Sequence, residues 1–263
     1  MSKTKLIWAA VLAAAVSCAP GFAQMDEQEL KQDAIARLID SHDPALSVGI
    51  GRVYVKQAAL LAARELLRER GRAAGLAPEQ WNARTEPWRA AERELLQGMD
   101  ELIQRKVARG MWVREAWSAL AAQTLNAEEA DEIAVHFQTE GGQLQRRVIE
   151  WFVGELTLQT YTFTDRLKYG VPGSEQEMRD LQIATYERMF RGIQDFTDYP
   201  GAMRFASQDP GVKYMKMMVL QGVHAVHVHL EQVADEARAT IRARAALTDP
   251  HIARARSAAR ARS

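Results

Sequence analysis

The sequence predicts an all-α fold: a bundle of about eight helices with no significant β-sheet. Three observations carry this. Apolar residues recur at three- and four-residue spacing along most of the chain. Proline, glycine and capping residues fall between those runs rather than inside them. Even the stretch rich in β-formers, Thr160–Thr164, keeps the helical period instead of alternating. Hydrophobic residues make up 47% of the 263, enough for a substantial core.

The chain opens with Lys3 and Lys5, an uncharged run from Leu6 to Pro20, and the small-residue pattern Gly21-Phe22-Ala23. This predicts a secretory leader over residues 1–23, with the mature chain starting at Gln24 in the periplasm or outside the cell. The run is shorter than the roughly 20 residues of a lasting bilayer span. Ala15-Val16-Ser17-Cys18 also resembles a bacterial lipobox, and the alternative is a lipoprotein anchored through Cys18. Cys18 is the single cysteine, so a chain cleaved after Ala23 has no disulfide and must rest on packing.

Residues 24–248 are expected to form one helical domain, with possible sub-lobes over 24–168 and 174–248, followed by a basic tail over 249–263. Its first stripes are Ala59, Leu60, Ala63, Leu66 and Leu67, then Leu95, Met99, Leu102, Ile103 and Val107. Pro78 and Pro87 suit first-turn positions, and Asn126 before Ala-Glu-Glu opens a helix. The longest stripe runs Ile149, Phe152, Val153, Leu156, Thr160, Phe163, Leu167. Ser174 and Glu177 fit a capping box, and Asp209-Pro210 and Asp249-Pro250 each read as a cap followed by a first-turn proline. Breaks are expected at Asp43–Gly51, Gly71–Pro78, Gly141-Gly142, Tyr169–Gly173 and Tyr199–Gly201.

Charge is spread unevenly. Without the leader the chain has 32 basic and 34 acidic residues, but the segment from Ala237 carries seven arginines against Asp249 alone. That end points either to contact with an anionic envelope surface or another envelope protein, or to a solvated Ala/Arg-rich helix end. Nothing suggests nucleic acid as a partner.

The signatures of common catalytic sites are absent: no G-x-S-x-G, no H-E-x-x-H, no phosphate loop. One cluster has ligand chemistry. On a helix, His224, His227 and Glu231 fall within about 60° of one another, and His229 points elsewhere. Glu132 and His136, four residues apart on a second helix, could join them around a divalent metal across a bundle. The competing reading is that these are surface or hydrogen-bonded histidines. Trp81, Trp88, Trp112, Trp117 and Trp151 are assigned to helical segments as core or core-edge residues, with lining of a ligand groove as the alternative; Met215, Met217 and Met218 read as core filling, or as an adaptable binding face.

The stretch from Leu125 to Leu144 resembles the DUF2059 family of exported, all-helical bacterial proteins. Glu128 and Glu129 match its acidic helix opening, Phe137 its second aromatic, Thr139 its serine, and Gly142-Gln143 its glycine and follower; His136 and Glu140 depart from its first aromatic and its proline. The resemblance implies helices and export; the family has no established activity, so it carries no catalytic residues over to this chain. The motif itself reads as a helical hairpin over Leu125–Leu167, turning at Thr139–Gly142, with Ile133 and Phe137 facing Leu144 and Val148.

The expectation for function is therefore an exported, non-enzymatic interaction or envelope-maintenance factor without a cofactor. The alternative is a metal-binding protein or metal-dependent enzyme using the His224/His227/Glu231 face.

Overall fold

The computed structural model describes residues 26–168 and 199–261, with scattered helical positions between 176 and 194. The leader, Cys18, the Ser174/Glu177 box and the Tyr169–Gly173 break lie outside the described residues, as do the side chains of Thr160, Phe163 and Leu167. The fold is all-α, and no strand occurs among the described residues.

In chain order the helices are α1 Glu27–Asp40, α2 Ala45–Ala73, α3 Glu86–Leu96, α4 Met99–Lys106, α5 Met111–Thr124, α6 Ala127–His136 and α7 Glu140–Lys168. After the 176–194 region come α8 Pro200–Ser207, α9 Asp209–Lys216, a π-helical turn Met217–Gly222, α10 Val223–Ala243, a 3₁₀ turn Ala245–Thr248 and α11 Asp249–Arg260.

The 29-residue α2 is the axis of the molecule. Its buried face is rich in small residues, Gly51, Ala58, Ala59, Ala62 and Ala63, which let α10, α7 and α3 come close on different sides. Gly51 marks the tightest approach: a Cβ there would stand 2.8 Å from Leu230 and 2.9 Å from Val107. α1 crosses α6 and α5, α10 also packs on α7 and α5, and α11 covers α3. One continuous cluster of buried apolar side chains runs from Ala34 to Ala255, through both of the expected sub-lobes.

Several expected breaks move. Asp43–Gly51 is a break only as far as Pro44; α2 begins at Ala45 and carries Gly49 and Gly51 within it. The Leu95–Val107 stripe is fully buried as expected, but it spans two helices, because the chain turns at Gly98 with φ 80°. A second left-handed glycine, Gly110 with φ 67°, opens α5. Pro87 lies in the first turn of α3, whereas Pro78 and Trp81 lie in the turn that precedes it. Asp209 and Asp249 are the first residues of their helices rather than caps, and the capping positions fall to Gln208 and Thr248. Asn126 forms a full capping box with Glu129.

The 125–167 hairpin is corrected. Ile133 and Phe137 are buried, but α6 lies on α1 and α9 instead of along α7. Leu144 and Val148 are only half-buried. Within the basic C-terminal segment, Asp249–Arg260 is helix α11, seated on α3 through His251, Ile252 and Ala255.

Candidate functional site

A group of buried titratable side chains, His42, Glu150 and Tyr214, lies where the α1–α2 loop meets α7 and α9. α1 ends because Leu38, Ile39, Ser41 and His42 fold its last turn onto itself. The Leu38 carbonyl accepts from the Ser41 hydroxyl at 2.6 Å and lies 2.7 Å from His42 Nδ1. A carbonyl can only accept, so Nδ1 carries the ring proton. Nε2 is then the acceptor for the Tyr214 hydroxyl, 2.5 Å away on α9.

Both residues are sealed from solvent: His42 is 4% exposed and Tyr214 fully buried. Burial holds the His42 imidazole down at about 4, with the Leu38 carbonyl opposing and Arg146 and Arg114 adding to the effect. Burial also pushes the Tyr214 phenol well above its ordinary value, reinforced by the nearby Glu150 carboxylate. At neutral pH the pair is a neutral imidazole and a neutral phenol joined by one hydrogen bond.

Glu150 of α7 closes the centre from below. It accepts from the Asp43 backbone N–H at 3.2 Å and stands 3.6 Å from Arg146 Nε, one turn earlier. Burial raises its carboxyl to about 7, against the pull of Arg146 and the Asp43 N–H. The centre is walled by aromatic rings. His42 lies 5.3 Å from Trp117 and 5.8 Å edge-on to Phe137, which meets Tyr214 edge-on at 5.2 Å. Trp117, 1% exposed, has an indole N–H without an acceptor among the described residues. Its ring lies against the π-helical turn, near Gly222.

The residues singled out in the sequence are placed as follows. His224 is exposed, and His227 stacks beside it with ring centroids 6.2 Å apart. His227 is half-buried and its imidazole is lowered by burial, with Glu231 opposing. Glu231 accepts from the Tyr54 hydroxyl at 2.5 Å and from Arg238 at 2.9 Å. Arg238, 3% exposed, also pairs with Asp235 at 2.7 Å. His229 stacks on Trp112 at 4.6 Å.

On α6, Glu132 points to solvent. His136 stacks on Phe205 at 3.9 Å, and its Nε2 bonds Gln145 at 2.7 Å. The two halves of the expected metal site thus stand on helices with separate neighbours: α6 on α1 and α9, α10 on α2, α5 and α7. Among the described residues no three His, Cys, Asp or Glu side chains come together as a metal-holding group. Trp81, Trp88, Trp112 and Trp117 are core, Trp151 is half-buried, and Met217 and Met218 are fully buried.

The His42 centre was missed by sequence reasoning. Its one local signal is a histidine three residues past the apolar pair Leu38-Ile39, where a helix ends before Asp-Pro. Its partner stands 172 residues further on. No protein-family model, curated protein or solved structure matches the chain.

Proposed function

We propose that the chain is an exported, non-enzymatic helical protein of the periplasm that acts by binding, as an interaction or envelope-maintenance factor. The observation that carries this reading is the closure of the His42 centre. Both ring nitrogens of the buried His42 are committed to the fold, one to Leu38 and one to Tyr214. A general base needs a free lone pair near the operating pH; this imidazole offers none, and its proton affinity is far too low. The leader pattern of residues 1–23 supports export.

The test is complementation. Deleting the gene should sensitise the host envelope to detergent, and both wild type and Tyr214→Phe, each recovered from the periplasm beginning at Gln24, should restore resistance. Tyr214→Phe keeps the ring and removes the hydroxyl. A variant that folds normally but fails to restore resistance would assign chemistry to the centre and overturn the reading. Stoichiometric zinc, iron or copper in the native protein, lost in His227→Ala, would favour the second reading, which the side-by-side His224 and His227 rings support: metal binding on the outer face of α10.

A further inference from the structure

On the far side of the molecule from the His42 loop, the C-terminal half of α2, the turn after it and α3 enclose a groove of about 430 Å³. That is within the range of small-molecule sites, roughly 300–1,000 Å³. Its two sides differ in chemistry. One wall is a ladder of guanidiniums, Arg64, Arg68 and Arg72, at one-turn spacing along α2. The floor is Trp81 and Trp88, packed edge-to-face at 5.5 Å, with Leu76 and Pro78 beside them.

The floor is apolar and narrow: Trp81 and Trp88 are 5% and 3% exposed and offer only ring edges to the groove, beside the more open Pro78. The Trp81 indole N–H donates to the Leu67 carbonyl at 2.7 Å, and that of Trp88 donates to Glu92 at 3.0 Å. Asn82, at the edge, is equally committed: its amide nitrogen donates to the Pro78 carbonyl at 2.6 Å and its oxygen accepts the Arg84 N–H at 2.9 Å. Gly71 lets Trp81 lie flat on α2, since a Cβ there would stand 2.2 Å from the ring.

The ladder carries a surplus of positive charge. Arg64 is paired with Glu92 at 3.3 Å. Arg68 and Arg72 share a single carboxylate, Glu65, at 2.6 and 3.9 Å, and their side chains are 48% and 73% exposed. Two guanidiniums on one carboxylate leave donors facing the groove, and guanidinium forks match carboxylate and phosphate oxygens.

We infer that this groove binds an anionic amphiphile: a carboxylate or phosphate monoester on Arg68 and Arg72, with an alkyl or aryl body on Trp81, Trp88 and Leu76. The inference deepens the binding reading above and rests on it. The ligand chemistry is shared by a free organic acid and by a lipid that presents its head from a membrane.

Titration calorimetry on residues 24–263 at low salt, with decanoate, decyl phosphate and neutral decanol, tests it. Both anions should bind at one site, with decanol weaker by about tenfold or more, the scale of one charge-assisted contact. Arg68→Gln/Arg72→Gln, both exposed substitutions, should weaken the anions by about the same factor and leave decanol unchanged. Ala83→Trp, which fills the groove mouth from an exposed position, should abolish binding of all three. No saturable binding, or equal affinity for decanol and decanoate, overturns the site and leaves the non-enzymatic reading intact. Recovery of chemically altered decyl phosphate would do the reverse. Co-sedimentation with phosphatidylglycerol vesicles, lost in the double variant, identifies a membrane lipid as the source; no co-sedimentation, with decanoate still bound, identifies a free acid.

Discussion

Two buried titratable groups, His42 and Glu150, give the molecule opposing responses to pH. The folded state excludes the His42 proton between about 4 and the ordinary 6.5, so its contribution to stability is complete above 6.5 and lost as pH falls through that window. Glu150 is the opposite case. Its carboxyl is raised from 4.5 to about 7, so the folded state holds that proton, and the contribution is complete below 4.5 and lost as pH rises through 7. Each is worth about 3 kcal/mol at most, and between 4.5 and 6.5 the two slopes largely cancel. Glu150→Gln removes one of them. Urea unfolding across pH should then show stability rising by about 3 kcal/mol from pH 4 to 6.5 and level above it, where wild type is flatter and declines towards 7. Identical profiles for the two proteins would mean that Glu150 does not hold its proton in the folded state. None of this is legible in the sequence: a glutamate on a helix reads as surface, and only the Asp43 loop laid over it makes it a buried acid.

At the scale of the element, periodicity reads burial well and pairing poorly. Leu95, Met99, Leu102, Ile103 and Val107 are all buried, as one face demands, although Gly98 cuts the helix between the first two. Ile133 and Phe137 are likewise in the core, but a stripe does not say what it packs against. Phe137 meets Phe205 of α8 and Tyr214 of α9 edge-on, both more than about 60 positions along the chain, instead of the following helix. Phe137→Ala should therefore cost about 3–5 kcal/mol in chemical denaturation.

The α6–α7 junction is legible in part because its chemistry is local, but it falls at Phe137–Thr139; Gly141 and Gly142, expected as the break, lie in the first turn of α7. The Thr139 hydroxyl accepts the Gly142 N–H at 3.0 Å and donates to the His136 carbonyl at 2.7 Å, capping α7. Gly142 is needed for closeness, not for a left-handed backbone, since a Cβ there would stand 2.0 Å from the His136 carbonyl oxygen. Gly142→Ala should thus cost about 1–3 kcal/mol through displacement of the α6–α7 junction, despite its better helix propensity. A neutral or stabilising Gly142→Ala would show that the junction relaxes freely.

Across the whole molecule, the C-terminal segment decides how charge and packing divide. Composition assigns the residues after Ala237 to one basic end, because arginines dominate there. Packing separates them. Arg238 is buried in a pair of ion pairs within α10, whereas Arg254 and Arg256 point to solvent from the outer face of α11. The inner face of α11 holds His251, which bonds Glu94 at 3.0 Å, together with Ile252 and Ala255, over the helix that buries Trp88, Ala91 and Leu95. Composition missed this because only three residues in twelve, spaced at 251, 252 and 255, face the core. Ending the chain at Thr248 should therefore destabilise it, by about 2–4 kcal/mol, the burial of one isoleucine plus the apolar surface of α3 laid bare. Arg254→Gln/Arg256→Gln, which keeps the inner face and removes the charge, should stay within about 0.5 kcal/mol of wild type. Urea midpoints of residues 24–248, 24–263 and the double variant separate the two roles. A truncated chain as stable as the full one would make α11 a solvated arm whose packing on α3 adds nothing to stability. A loss confined to the truncation fixes α11 as the lid of the α3 face, held by His251, Ile252 and Ala255, with Arg254 and Arg256 exposed on its outer side.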